Sequence, residues 1–214
     1  MAKVDLHTHS VASQDGGLKA ADYERLLTSG GLDCVAVTDH NRIDFAVELQ
    51  RRFGERVIVG EEISTQQGEL IGLYLQRVIP AGLSALDAAL AVHAQGGLVY
   101  VPHPFETVRH GLALPDLQAL AGHVDIIETC NGRTMQDKGA AAVEWAKQRA
   151  VPGAASSDAH GPCGWGNTYS ELSELPSRAT LLTLLQTAHY STGSTGFTGR
   201  LYPKLNRLRK LAHV

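Results

Sequence analysis

The chain has 214 residues, with 19 Lys plus Arg against 22 Asp plus Glu, 10 His, 3 Cys and 43% hydrophobic positions. At this length one core buries roughly 70% of the surface that the unfolded chain exposes, so a single domain over 1–214 needs no disulfides to hold it. Cys34, Cys130 and Cys163 form no CxxC pair and the opening MAKVDLHTHS has no apolar signal-peptide run, which together predict a cytoplasmic protein without a membrane span.

Short apolar runs alternate with helical patterns along the chain. Strands are predicted at Lys3 to His9, Cys34 to His40, Arg56 to Ile63, Leu70 to Leu75, Leu98 to His103, Asp125 to Cys130 and Val151 to His160. Helical spacing runs through Ala20 to Ser29, Asp44 to Phe53, Ser84 to Gln95, Pro115 to Ala121, Lys138 to Arg149 and Arg178 to Tyr190. Ser84 with Asp87 three residues on is a helix start, while Gly30–Gly31 and Gly96–Gly97 are stops. Repeated βα units imply a largely parallel sheet covered by helices.

Five of the strands end in His or carboxylate. His7 and His9 end the first, His40 the second, His103 the fifth, Asp158 and His160 the seventh, and Glu62 lies near the end of the third. Side chains two apart on a strand share a face, so His7 with His9 and Asp158 with His160 are two-point clamps. In parallel α/β folds sites are built at the C-terminal ends of the strands. A mixed imidazole and carboxylate shell suits Zn, Mn or Fe. So many ligands at one rim exceed what one ion can use, and leaving them buried without a cation would cost several kcal/mol for each unpaired charge.

In order, the blocks VDLHTHSVASQDG, AVTDHN, VGEEIST, GELIGLYL, VPHPF, IIETCNGR and ASSDAHGP resemble the motifs of the PHP (polymerase and histidinol phosphatase) family of metal-dependent phosphoesterases, in its short free-standing form. The resemblance covers about residues 3 to 170. It implies a distorted, TIM-like (β/α)7 barrel and a site holding two or three divalent ions. It further implies that His7, His9, Glu62 and Asp158 hold one ion, that Glu62 bridges to a second with His103, and that Asp15, His40 and His160 hold a third. Where the family commonly has a fourth-strand His, this chain has Glu69, a harder ligand.

Such ions make hydroxide available near neutral pH and neutralise phosphoryl charge, so a metal-bound hydroxide can attack phosphorus without a side-chain nucleophile. Arg109 and Arg133 are the candidates to clamp the phosphate, since a guanidinium matches two of its oxygens. Asp5 and Asp39 are candidates to orient imidazoles. Ser10 and Asn41 read as loop caps, His110 as a possible leaving-group acid, and Cys130 as a small apolar residue. His93, His123, His189 and His213 read as surface or helix-end residues.

Residues 200–214 carry five bases and no acid. Leu201, Leu205, Leu208 and Leu211 form a helical stripe there, which predicts a basic C-terminal helix packed on its leucines with the charges in solvent. The acidic balance of the rest favours a small phosphomonoester over a polymer; the basic tail keeps a nuclease or phosphodiesterase in view. Amidohydrolases also begin with HxH, but typically use a carboxylated Lys on a central strand, and strands three to six here have none. A non-catalytic PHP module is the remaining alternative.

Overall fold

A computed structural model describes residues 1–134 and 138–212 of the chain; His213 lies outside them. The chain runs β1 (Ala2–Asp5), α1 (Ala20–Thr28), β2 (Cys34–Val37), α2 (Asp44–Phe53), β3 (Val57–Ser64), β4 (Glu69–Leu73), α3 (Ala85–Ala94) and β5 (Leu98–Val101). It continues through α4 (Leu114–Ala119), β6 (Ile126–Asn131), α5 (Lys138–Arg149), β7 (Gly153–Ser156), β8 (Thr168–Leu172), α6 (Leu181–Leu185), β9 (His189–Thr192) and α7 (Gly196–Leu211).

All nine strands join one sheet in the order β7-β6-β5-β4-β3-β2-β1-β8-β9. This sheet is nearly closed and barrel-like, and it is mixed, where the repeated βα pattern predicts a largely parallel one. β4 runs antiparallel to β3 and β5. The cause is the connection: only residues 65–68 separate β3 from β4, enough for a hairpin and too few for a parallel crossover. Two strands were not predicted. β8 pairs antiparallel with β1, and β9 with β8; β9 lies within and beyond the end of the helix expected over Arg178 to Tyr190, which shrinks to the five residues of α6.

Closure is made by both side chains and backbone. Ser170 Oγ on β8 accepts from Ala155 N at 2.9 Å and donates to Ala155 O at 3.1 Å, joining β8 to β7. Toward the rim, the segments after β1 and β7 pair directly: His9 N donates to Ala159 O at 2.9 Å and Asp158 N to His7 O at 3.0 Å. His7, His9, Asp158 and His160 therefore stand just beyond the strand ends, on backbone still tied across the barrel, whereas Glu62 lies within β3 and Glu69 opens β4.

Alternation along the strands divides the core in two. Val35, Val37, Val57, Val59, Val99, Val101 and Ile127 pack outward with Tyr23, Leu27, Leu49, Val92, Leu117 and Trp145. Their strand neighbours Ala36, Ile58, Ile71, Tyr100 and Ile126 form a smaller cluster on the other face, with Leu181 and Leu185 of α6 against it. Sheets buried on both faces read as continuous apolar runs, which is why the first seven strands are visible in the sequence.

The C-terminal helix reverses its expected orientation. Leu201, Leu205, Leu208 and Leu211 are 37%, 38%, 56% and 72% exposed, whereas Asn206 and Gly199 are buried. The physical reason lies in the polar backbone of residues 11–16. Lys210 Nζ donates to the carbonyls of Val11 (2.8 Å), Gly16 (3.0 Å) and Ser13, and Asn206 Nδ2 donates to Asp15 O at 2.8 Å. Gly17 permits this approach, because a Cβ there would lie 2.8 Å from Asn206 Nδ2.

Candidate metal centre

All nine residues expected as ligands meet at the rim. They fall into four overlapping groups: His7, His9 and Glu62; His7, His103 and Asp158; His40, Glu62 and Glu69; and His9, Asp15, His40 and His160. The last differs from the expected third set by including His9, whose ring stacks on His160 and His40 at 4.1 and 4.9 Å between centroids.

The first set is the tightest. His7 Nε2 and His9 Nε2 are 3.0 Å apart. Glu62 Oε2 is 3.5 Å from the former and 3.1 Å from the latter, and Asp158 Oδ1 is 3.6 Å from each. Around an ion held by bonds of about 2.0–2.1 Å, tetrahedral ligand atoms stand about 3.3 Å from one another. Four donor atoms from three separate segments thus have the spacing that such a centre requires.

Glu62 presents its two oxygens to different imidazoles. Oε2 faces His7, His9 and His40, while Oε1 lies 3.1 Å from His103 Nε2. Glu69 spans the same region, with Oε1 3.4 Å from His40 Nδ1 and Oε2 3.9 Å from His103 Nε2. Asp15 Oδ2 is 3.6 Å from His40 Nε2 and 3.5 Å from His160 Nε2.

The electrostatics of this cluster fit cations. Burial, and then the neighbouring Glu62 charge, push Glu69 up to about 8, the response of a carboxyl with too many anions beside it. Burial works against charge on His7, yet Asp158, Glu62 and Glu128 together hold its pKa well above the ordinary value. His160 is pushed down to about 3 by burial, His9 and Arg133, and is neutral near pH 7. With its Nδ1 2.9 Å from Asp158 O, the tautomer that donates there leaves an Nε2 lone pair facing Asp15 Oδ2. His9 Nδ1 and His103 Nδ1 are buried with no hydrogen-bond partner among the described residues. Lone pairs turned on one another are the surroundings that divalent ions relieve.

Around the cluster, a carboxylate absent from the sequence-based set does most of the orienting. Glu128 Oε1 lies 3.2 Å from His7 Nδ1 and accepts from Tyr100 OH at 2.9 Å; Oε2 accepts from His103 N at 2.6 Å and Asn131 Nδ2 at 2.8 Å. A register shift between Glu128 and Cys130 marks a bulge in β6, the device that re-aims side chains beside sites. A signal was present: Glu128 interrupts the apolar run IIETC and shares alternation with Ile126. Asp5 and Asp39, expected to orient imidazoles, bind loops instead. Asp5 accepts from Ser157 N (3.0 Å), Ser157 Oγ (2.5 Å) and Trp165 Nε1 (3.1 Å); Asp39 accepts from Ser10 N (2.7 Å) and Ser10 Oγ (2.5 Å).

Arg109 and Arg133 both reach Asp158 Oδ2, at 2.6 and 3.1 Å, leaving Oδ1 to the imidazoles. They differ in what remains free. Arg109 Nε and Nη2 pair with the two Glu106 oxygens at 2.8 Å each, Nη2 also donates to Thr134 Oγ1 at 3.0 Å, and Nη1 to Asn131 Oδ1 at 3.2 Å. All five of its donors are engaged, so the direct phosphate contact expected of Arg109 is not available in this arrangement. Arg133 Nε, by contrast, is buried without a partner among the described residues. His103 and Asp158 carry φ of +28° and +51°, strained for side chains with a Cβ, as at sites where neighbours over-determine the backbone.

The remaining expectations place simply. Asn41 and Ser64 bond each other reciprocally, and burial with Glu128 pushes the Cys130 thiol up to about 11. His93 pairs with Asp125 at 2.7 Å, away from the cluster. Among the described residues no helix is long and apolar enough to cross a membrane.

A barrel whose rim gathers imidazoles and carboxylates defines the class, and the comparisons identify the family. The family model described as PHP-associated matches residues 140–188. An uncharacterized protein of Methanocaldococcus jannaschii is 34% identical over 181 residues, 81% of this chain and 71% of its own length. A two-domain protein from Bacteroides vulgatus containing a predicted PHP-like metal-dependent phosphoesterase superposes with a TM-score of 0.72 at 21% identity. The match covers 90% of this chain and 65% of that one, so the present chain spans just under two thirds of that protein. An amidohydrolase from Chromobacterium violaceum, solved with bound sulfate and no metal, superposes with a TM-score of 0.63 at 16% identity, over 89% of this chain and 99% of that one. The chain belongs to the PHP family.

Proposed function

We propose that the chain is a metal-dependent phosphoesterase that hydrolyses a small phosphomonoester. The observation that carries this reading is the set of five spacings, 3.0 to 3.6 Å, among His7 Nε2, His9 Nε2, Glu62 Oε2 and Asp158 Oδ1. Those four would hold one ion. Glu62, His103 and Glu69 would hold a second, and Asp15, His40 and His160 a third. Divalent ions of the Zn, Mn or Fe type supply an activated water and offset phosphoryl charge when bound.

The chain's own groups do the rest. Glu128 fixes the His7 ring and the His103 backbone, and Arg109 pulls one Asp158 oxygen aside so that the other stays with the imidazoles. Arg133 has donors to spare for a phosphoryl oxygen. Over the cluster lies a cavity of about 220 Å³ bordered by His40, Glu69, Arg133, His110 and Arg207. Beyond His103 a second of about 410 Å³, bordered by Thr129, Asn131, Thr134, Ser194 and Arg200, has room for an alcohol portion. Lys210 and Arg207 turn toward residues 11–16 rather than forming an open basic track, which weighs against a polymer substrate.

Phosphate release should be measured across nucleotides, sugar phosphates, histidinol phosphate and short oligonucleotides with Mn and Zn. Turnover of a monoester, with more than one transition-metal ion per chain by elemental analysis, is the expected result. A natively folded protein that takes up no metal would defeat the reading.

A further inference from the structure

Helix α7 does more than cover the barrel. Asn206 Nδ2 donates to the carbonyls of Asp15 and His160, each at 2.8 Å, and so fixes the helix against two segments that carry candidate ligands. The next residue, Arg207, places its Nη2 2.8 Å from Asp15 Oδ2, the same oxygen that faces His40 Nε2 and His160 Nε2. No other hydrogen bond of the Arg207 guanidinium is found among the described residues, and its side chain remains 55% exposed. Arg207 borders the cavity over the cluster together with Arg133.

We propose that Arg207 is a substrate-binding residue: with Arg133 it takes the oxygens of a phosphoryl group held over the cluster, so that α7 completes the active site. The inference rests on the phosphoesterase reading. A cation held by Asp15, His40 and His160 would compete with Arg207 for Asp15 Oδ2. The guanidinium keeps four N–H donors without protein partners, and an anion in the cavity is the group that satisfies them. Arginine suits the position because its planar fork matches two oxygens of a tetrahedral oxyanion, whereas a lysine offers a point charge. Burial of the leucine stripe would have turned this face to solvent; the exposed stripe is the counterpart of a face on which Asn206 is buried and Arg207 reaches Asp15.

Metal-loaded wild type, Arg207→Ala, Arg207→Lys and Leu208→Ala, the last on the exposed face of the same helix, test this by calorimetric titration with inorganic phosphate, elemental analysis and steady-state kinetics. Loss of charged hydrogen bonds should weaken phosphate binding by about tenfold or more in Arg207→Ala. KM should rise with it, kcat should change less, and metal content should stay at the wild-type value. Arg207→Lys should fall between, and Leu208→Ala should match wild type. Wild-type phosphate affinity in Arg207→Ala would overturn the proposal, as would loss of metal from that variant, which would make Arg207 a support for Asp15 alone. Wild type that loads metal yet binds no phosphate would instead sink the phosphoesterase reading, and this inference with it.

Discussion

The rim of the barrel and helix α7 invert the usual sorting of residues in opposite ways. At the rim four carboxylates and four imidazoles are largely removed from water and a fifth imidazole, His40, is half-buried; on α7 four leucines are left in water while Asn206 is buried. Both follow from one rule: a polar group can be buried where its partners are complete, and an apolar one stays out where no apolar surface awaits it. The backbone carbonyls of residues 11–16 need donors, and Lys210 and Asn206 supply them. For the rim, residues of a metal-dependent family are gathered in groups that could hold a metal ion. One region is thus completed by the chain itself, and the other, in the reading proposed here, by ligands from solution.

The largest expected effects break the rim. His9→Ala or Asp158→Ala should abolish hydrolysis of a phosphomonoester, about 10³-fold or more, and lower bound metal by elemental analysis, with circular dichroism showing the fold intact. Retained activity would move the site elsewhere. Next comes Glu128→Gln, which keeps the shape but weakens the hold on His7; a loss of about 10–100-fold in metal affinity or activity is expected, as for groups that orient metal-bound imidazoles. An unchanged metal titration would show that His7 needs no such support.

Stability sharpens the same comparison. Leu117→Ala, at a fully buried outer-core position, should cost about 2–5 kcal/mol in urea unfolding. Leu208→Ala should change it by less than about 0.5 kcal/mol; a large loss there would mean that the leucine stripe is covered in solution. The smallest effect belongs to Cys130. A thiol held at about 11 is protonated at pH 7 and gains nucleophilicity only as pH rises toward that value. Slow alkylation at pH 7 that accelerates with pH, and full activity in Cys130→Ser, are the expected readings.

Much of this molecule is legible in its sequence. The helices over Asp44–Phe53 and Lys138–Arg149 have the predicted bounds, and seven strands stand on the predicted apolar runs, five of which end at or near ligand-type residues. Where the reading departs, the reason is non-local. β8 and β9 have ordinary amphipathic composition, and their pairing is decided by the open flank of β1. The hairpin direction of β4 was present in the four-residue loop before it, a length that outweighs the βα rhythm. Glu128 was visible as a charge within an apolar strand, but its roles toward His7 and His103 depend on the bulge in β6.

The sequence by itself determined which residue types line the rim, because strand alternation and strand-end position are local properties that survive any detail of packing. Tertiary structure alone decided how they are used: which oxygen of Asp158 faces imidazole and which faces arginine, that Arg109 has no donor left while Arg133 and Arg207 do, and which face of α7 looks inward. Those outcomes depend on hydrogen-bond complements contributed by segments far apart in the chain, and Arg207 lies 192 positions from the carboxylate it meets. Local pattern names the chemistry available; three-dimensional pairing selects which donors and lone pairs remain free to perform it.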